Sequence, residues 1–320
     1  MAGSVAAAPL SDRVWSTLAC PHCGGVLQPD AGGARCAACG NGFAPAPTGQ
    51  LDLRLRHPER RQIEVNLGAP LDEAGVIWDR LRPQPSPTVD VSRVRGPCHL
   101  PRDLRSYFPR AAAGDLALDL GCGAQVHKEV CELAGFEYVG LDYSTPEAML
   151  LGDAQSLPFR DDAFAFVLSI AVLEHVPFPL LMVREAHRVL RPGGLLLGTV
   201  AFLEPFHQNS YHHHTHLGTL NALRFAGFDV EHIAPSGGWS GLEAQAHMGL
   251  FPNTPRWLGK LLVAPLLLLH RLWWRAGRLV DPAATETRRQ LKNSGAILFL
   301  ARKPCSAARP APPGDPEISG

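Results

Sequence analysis

The chain has 320 residues, 46% of them hydrophobic, and its thirty basic side chains balance thirty acidic ones. That composition is ordinary for a globular protein, and the length suits one full-sized domain with a smaller appendage. A formal charge of zero excludes an overall field that would draw the chain to nucleic acid or to an anionic membrane.

Segment 1–15 is small and apolar without periodicity and reads as a frayed end, lacking the basic region and long apolar core of a signal peptide. No run of about 18 uninterrupted apolar residues occurs, which argues against a plain transmembrane helix and for a cytoplasmic protein. Four of the eight cysteines form two tight pairs, Cys20-Pro-His-Cys23 and Cys36-Ala-Ala-Cys39. Without an export signal, such pairs point to metal before disulfides. Four thiolates complete a tetrahedral Zn²⁺ site, so residues 1–52 are expected to form a ribbon around a structural zinc. A redox dithiol is the alternative, and the duplicated spacing speaks against it.

Segment 53–110 is charged and interrupted by proline, and reads as a linker, part of which could be a helical lid. From 111 to 303 short apolar runs alternate with amphipathic segments, the rhythm of a doubly wound α/β domain with a Rossmann-like seven-stranded sheet. Strands are expected at 116–120, 138–141, 164–170, 195–200, 228–233 and 296–301, and helices at 126–133, 180–190 and 219–225. The stretch 236–292 then becomes an insertion before the last strand. The Pro-, Ala- and Gly-rich tail 304–320 reads as disordered.

Leu118-Asp-Leu-Gly-Cys-Gly123 falls where a strand gives way to a helix. Glycines there let the backbone turn sharply and approach a ligand, and a helix N-terminus offers free N–H groups. Asp142, about twenty residues on at the end of the next strand, is placed to accept the ribose hydroxyls of a nucleoside cofactor. The later elements decide which cofactor. Asp119-Leu-Gly-Cys-Gly123, Gly140-Leu-Asp-Tyr143, Gly152-Asp-Ala-Gln-Ser-Leu-Pro-Phe159, Val172-Leu-Glu-His-Val176 and Arg188-Val-Leu-Arg-Pro-Gly-Gly194 follow in order. The chain thereby resembles the class I S-adenosylmethionine-dependent methyltransferases, especially the type 11 branch that includes the quinone-biosynthesis C-methyltransferases.

That resemblance implies roles. Asp119, Gly121, Cys122 and Gly123 would hold the methionine end of S-adenosylmethionine, and Asp142 its ribose. Tyr143 would pack beside the adenine, Asp153 would accept from its amino group, and the Ala154 backbone would donate. Ser169 and Ile170 would end the central strand beneath the sulfonium. Three departures stand out: Ala124 and Gln125 where a third glycine is usual, Ala165 where Asp is common, and only ten residues between Asp142 and Asp153. The last should shorten the intervening helix to little more than 145–150.

The segment 202–216 follows the fifth strand, where the acceptor pocket of this fold lies. Glu204, His207, His212 and His213, with His175 from the fourth strand, are candidates to orient or deprotonate an acceptor hydroxyl, since imidazole titrates near neutrality. Five histidines in ten residues also leave a second metal site open, beside the plainer reading of a polar loop. In 257–275 the nine apolar residues 261–269 are too few to cross a bilayer. A helix packed over the sheet or a dimer contact is the simpler reading. The flanking Trp257, Trp273, Trp274, Lys260, Arg271 and Arg275 would also suit peripheral membrane contact.

Methyl transfer to oxygen of a small-molecule, glycan or lipid-linked acceptor is therefore the expected activity. Zinc ribbons also precede the catalytic domain in some ribosomal RNA guanine methyltransferases. The RNA alternative, with the ribbon as reader, meets a ribbon whose Cys-to-Cys span holds only Arg35 as a basic residue. A cofactor-binding scaffold without catalysis is the third reading.

Overall fold

Ser11 opens the first element by accepting the Val14 amide at 3.1 Å, capping α1 (Asp12–Thr17). Val14 of this helix is buried in the main core, so the segment from Ser11 is a packed helix where a frayed end was expected. The structure, a computed structural model, describes residues 10–65, 67–68, 70–90, 94, 100–207, 209–283 and 285–305. Most of the tail read as disordered, 306–320, lies outside the described residues, as does 1–9.

The ribbon is a three-stranded antiparallel sheet of β1 (Leu27–Asp30), β2 (Gly33–Cys36) and β3 (Gly42–Phe43). Gly33 is required beneath it: a Cβ there would lie 2.1 Å from the Phe43 carbonyl oxygen. The chain then enters the large sheet as β4 (Leu51–Asp52).

Segment 53–110 contains α2 (Arg102–Arg105) and no other helix among the described residues. Its scattered apolar side chains, among them Leu53, Leu81, Val89, Leu104 and Phe108, are buried. Ile77 also exchanges backbone hydrogen bonds with Glu231 and Ile233 at 3.1 Å each. The segment expected to link or cover is instead a strap packed onto the sheet, because those side chains together bury enough apolar area to fix it.

The large sheet follows with β5 (Leu116–Leu120), α3 (Lys128–Leu133), β6 (Glu137–Asp142), β7 (Leu150–Leu151), β8 (Phe164–Ile170), α4 (Pro179–Val189), β9 (Leu190–Ala201), α5 (His216–Phe225) and β10 (Asp229–Pro235). After the insertion come the short α6 (Gly241–Ala244), a π-helical stretch Gln245–Leu250, the long α7 (Arg256–Gly277), α8 (Glu286–Asn293) and β11 (Ala296–Arg302). Strand order is β10-β11-β9-β8-β5-β6-β7-β4, parallel from β4 to β9 and antiparallel across β9, β11 and β10. The expected doubly wound seven-stranded sheet is present, and β4 adds an eighth strand from the ribbon side.

Every residue of β5 is buried, as a central parallel strand covered on both faces requires. Gly198 of β9 lets the sheet close, since a Cβ there would meet the Ser169 carbonyl oxygen at 2.3 Å and the Phe299 ring at 2.5 Å. Between β6 and β7 no helix forms. A parallel crossover with its helix needs about 10–12 residues, more than this connection offers, so the chain makes a turn in which the Ala148 amide bonds the Thr145 carbonyl at 3.1 Å.

Candidate active site

The β5–α3 bend is built around two left-handed glycines, Gly121 at φ 74° and Gly123 at φ 50°. A Cβ on Gly121 would lie 2.5 Å from a Val172 methyl, so only glycine lets the two strand ends approach. Gln125, where the third glycine is usual, also takes a left-handed φ of 56° and is held by its side-chain bond to the Glu147 carbonyl. The amides of Gly121 and Cys122 donate to the Leu141 carbonyl at 2.9 and 3.1 Å, and that of Gly123 to Asp142 Oδ2 at 3.0 Å. The amides expected to face a carboxylate are thus engaged with the neighbouring strand.

Asp119 does not open onto the cleft. It is fully buried, accepting the Tyr138 hydroxyl at 2.8 Å and lying 3.2 Å from His127 Nδ1. Its carboxylate braces the bend from below, and Tyr138 and His127 are site-supporting residues that the motif did not flag. The Cys122 side chain is likewise buried. Asp142, at the tip of β6, is half-buried, and Oδ1 accepts the amides of Ser144 and Thr145 at 3.0 Å each. Burial alone would raise its pKa, but these amides outweigh it and hold the carboxyl below the usual range, so it is ionised at neutral pH. Tyr143 beside it is exposed, with the Arg54 guanidinium 5.5 Å from its ring centre. Ser169 is buried at the end of β8, and its Oγ has no partner among the described residues.

Asp153 and Ala154 lie on a tight turn in which Asp153 Oδ1 accepts the Gln155 amide at 2.8 Å. This turn rests on the ribbon. Ser156 Oγ donates to the Pro21 carbonyl at 2.7 Å, Arg61 bonds both Pro21 O and Ser156 Oγ, and the Ala19 amide bonds Pro158 O at 2.9 Å. From the other side Arg188 of α4 holds the Leu157 and Phe159 carbonyls. His22 ties the ribbon to the strap through Glu59 at 2.6 Å and the Arg56 amide at 3.1 Å.

The four ribbon thiols lie within 4.8 Å of one another. Cys20 and Cys39 sulfurs are 3.7 Å apart and those of Cys23 and Cys36 3.5 Å. A tetrahedron with Zn–S bonds of about 2.3 Å has edges of about 3.8 Å, so the donor set fits that ion. Gly25 is part of the cradle: a Cβ there would lie 2.9 Å from Cys36 Sγ.

After β8 and β9, at the edge expected to take an acceptor, the structure gathers His175, His207 and Glu204. The His175 and His207 rings meet edge to face at 5.2 Å, and His207 Nε2 lies 3.8 Å from Glu204 Oε2. His207 Nδ1 is 3.0 Å from the Pro205 carbonyl, which can only accept, so in the neutral ring Nδ1 carries the proton and Nε2 the lone pair. Trp239 Nε1 donates to the other Glu204 oxygen. Sequence reasoning passed over Glu174, between Leu173 and His175, although an acid wedged among apolar neighbours after a buried strand was the available signal. It is fully buried, and its Oε1 accepts the Ala201 amide at 3.2 Å while its carbonyl accepts the Tyr211 amide at 2.6 Å. Burial, aided by the Glu204 charge, pushes its carboxyl up to about 7. Glu174, His175 and His207 present ligand atoms within 4.8 Å of one another. His212 points away, to the Pro177 carbonyl, and His213 lines a cavity of 350 Å³ that it shares with Glu204, Leu267 and His270.

The sequence profile of a family described as a methyltransferase domain matches residues 118–198. An uncharacterized methyltransferase of Mycobacterium avium (strain 104) is 30% identical over 194 residues, covering 51% of this chain and 76% of that protein. Among solved structures, an S-adenosylmethionine-dependent methyltransferase from Mesorhizobium loti superposes with a TM-score of 0.38 at 20% identity, over 62% of this chain and 95% of that one. Phosphoethanolamine N-methyltransferase 2 of Haemonchus contortus, in complex with S-adenosyl-L-methionine, gives a TM-score of 0.41 at 18% identity, over 63% and 51%.

Proposed function

The chain belongs to the S-adenosylmethionine-dependent methyltransferases, and from that membership we propose that it methylates a hydroxyl of a small-molecule, glycan or lipid-linked acceptor. The observation that carries transfer to oxygen is the pairing of His207 with Glu204. An alcohol is a poor nucleophile until its proton leaves, and His207 Nε2 holds a lone pair beside a carboxylate 3.8 Å away. His207 would take that proton, Glu204 would face the resulting imidazolium, and the edge of His175 would limit the ring's rotation. When bound, the cofactor supplies a methyl group on a cationic sulfur that is already electrophilic, which leaves positioning and desolvation to the protein.

Asp142 would take the ribose hydroxyls. A carboxylate has about four acceptor sites, and three are filled by Gly123, Ser144 and Thr145. Binding both hydroxyls would therefore draw the Gly123 amide off Oδ2. The buried and unpartnered Ser169 Oγ and the ionised Asp142 support a polar ligand at these strand ends. Tyr143, Asp153 and the Ala154 backbone would flank the adenine. Cys20, Cys23, Cys36 and Cys39 would hold one structural zinc. Because Pro21 and His22 face inward, the ribbon would serve as a brace for the Asp153 turn, which favours scaffold over RNA reader.

The test is transfer from methyl-labelled cofactor to fractionated glycan, lipid and RNA extracts. Label in an alkali-stable ether of the glycan or lipid fraction is expected, and label in RNA would overturn the reading. His207→Ala should lower transfer by on the order of 100-fold with cofactor affinity unchanged. Transfer that depends on an added divalent cation would instead assign Glu174, His175 and His207 to that cation.

A further inference from the structure

Helix α7 has 22 residues, and most of its apolar side chains have nothing against them. Only Gly259 and Val263 are buried, while Trp257, Leu261, Leu269 and Trp273 are 67%, 62%, 61% and 76% exposed. At about 3.6 residues per turn, Trp257, Leu261, Leu268 and Leu272 form one stripe and Leu262, Leu266, Leu269 and Trp273 a second beside it. Together they cover about half of the helix circumference. The expectation that this helix simply packs over the sheet fails here, because only a narrow face reaches the protein.

A helix that meets water on its outer side carries polar residues there, so an apolar arc of this extent marks a surface meant to be covered. The charge pattern says by what. From Arg256 to Val280 there are five basic residues, Arg256, Lys260, Arg271, Arg275 and Arg278, and no acidic one, in a chain whose total charge is zero. Lys260 is shared with Glu243 at 3.7 Å and Arg256 stacks on Trp239, while Arg271, Arg275 and Arg278 are exposed along the flank. Tryptophan on an apolar face bordered by cations is the signature of a helix lying in the headgroup layer of an anionic bilayer. No helix among the described residues is long and apolar enough to cross a membrane, so α7 would lie on it and not through it.

We infer that α7 seats the protein on an anionic lipid surface. Leu267 and His270 of this helix line the same 350 Å³ cavity as Glu204 and His213. A headgroup rising from the bilayer beside α7 thus meets the acceptor edge directly, and the acceptor is carried on a lipid. This last step rests on the acceptor edge proposed above, whereas the docking of α7 does not.

Sedimentation of the full chain with phosphatidylcholine vesicles, with and without phosphatidylglycerol, tests the docking. Binding to the anionic vesicles, weakened by salt, is expected, together with a blue shift of tryptophan emission. The triple variant Trp257→Ser, Leu268→Ser, Trp273→Ser alters only exposed positions and should bind at least about tenfold less. Its thermal midpoint and its calorimetric affinity for S-adenosylmethionine should match the wild type. Wild-type protein that stays in the supernatant with both vesicles overturns the inference, as does a dimer in sedimentation equilibrium that the same variant dissolves. Failure of cofactor binding by the vesicle-bound wild type would instead count against the methyl-transfer assignment and leave the docking standing.

Discussion

The Gly123 amide donates to Asp142 Oδ2 at 3.0 Å, tying the glycine bend after β5 to the tip of β6. The bond closes the end of the cleft proposed for the nucleoside with a carboxylate that is ionised and already carries backbone amides. Asp142→Ala should lower the affinity for S-adenosylmethionine by on the order of 100-fold, since each hydrogen bond to a charged group contributes about 1.5–3 kcal/mol. It should also lower the thermal midpoint, because three amides lose their acceptor. A calorimetric affinity equal to that of the wild type would remove Asp142 from the ribose.

The ribbon predicts a linked effect. Purified protein should carry one zinc per chain, and Cys20→Ser with Cys23→Ser should abolish it. Loss of the metal should free the Pro21 carbonyl that Ser156 and Arg61 hold, so amide exchange in 153–160 should speed up and cofactor affinity should fall. Folded protein free of metal, with 153–160 still protected, would refute both the site and the brace.

Gly121→Ala adds a Cβ 2.5 Å from Val172 in a left-handed backbone. Overpacking and the φ penalty together should cost about 2–4 kcal/mol in chemical denaturation. Adding Val172→Ala should recover only the overpacking share. Full recovery would show that the backbone at 121 carries no strain.

Acid should weaken the fold through histidine. Burial, aided by the Lys303 charge for His187 and by the charges of His212 and His213 for His214, lowers both pKa values from 6.5 to about 4. Between those values the unfolded chain binds more protons, so stability is full above pH 6.5 and is lost as pH falls through 4. With partial solvent screening each histidine accounts for about 2 kcal/mol. Glu174 acts in the opposite sense: with its carboxyl raised from 4.5 to about 7, its contribution is full below pH 4.5 and is lost as pH rises from there through 7. Two histidines outweigh one carboxyl between pH 4.5 and 6.5, so thermal midpoints should fall on the acid side with a slope that Glu174 blunts, and His187→Phe should flatten this acid limb; an unchanged limb would exclude His187 as its source.

What the residue order determined by itself was local. Leu116–Leu120 and Phe164–Ile170 could be placed because a buried parallel strand is a continuous apolar run, whereas the strand expected from Leu195 begins at Leu190 and takes Pro192, Gly193 and Gly194 into itself. The two C-x-x-C pairs were legible from their short spacing, and the nearness of Asp142 to the glycine bend, nineteen residues away, from the rule that successive parallel strands set their tips side by side. Tertiary packing decided the rest. Asp119 turned inward because Tyr138, nineteen residues away, supplies its hydrogen bond. The strap 53–110 lacks any period because its apolar residues bury one at a time. Glu174 is buried beside His175 and His207 because the loop carrying Tyr211 packs back onto it. Helix α7 could be read as apolar from its letters, but which half of it stays uncovered depends on how α6 and the stretch Gln245–Leu250 pack against it.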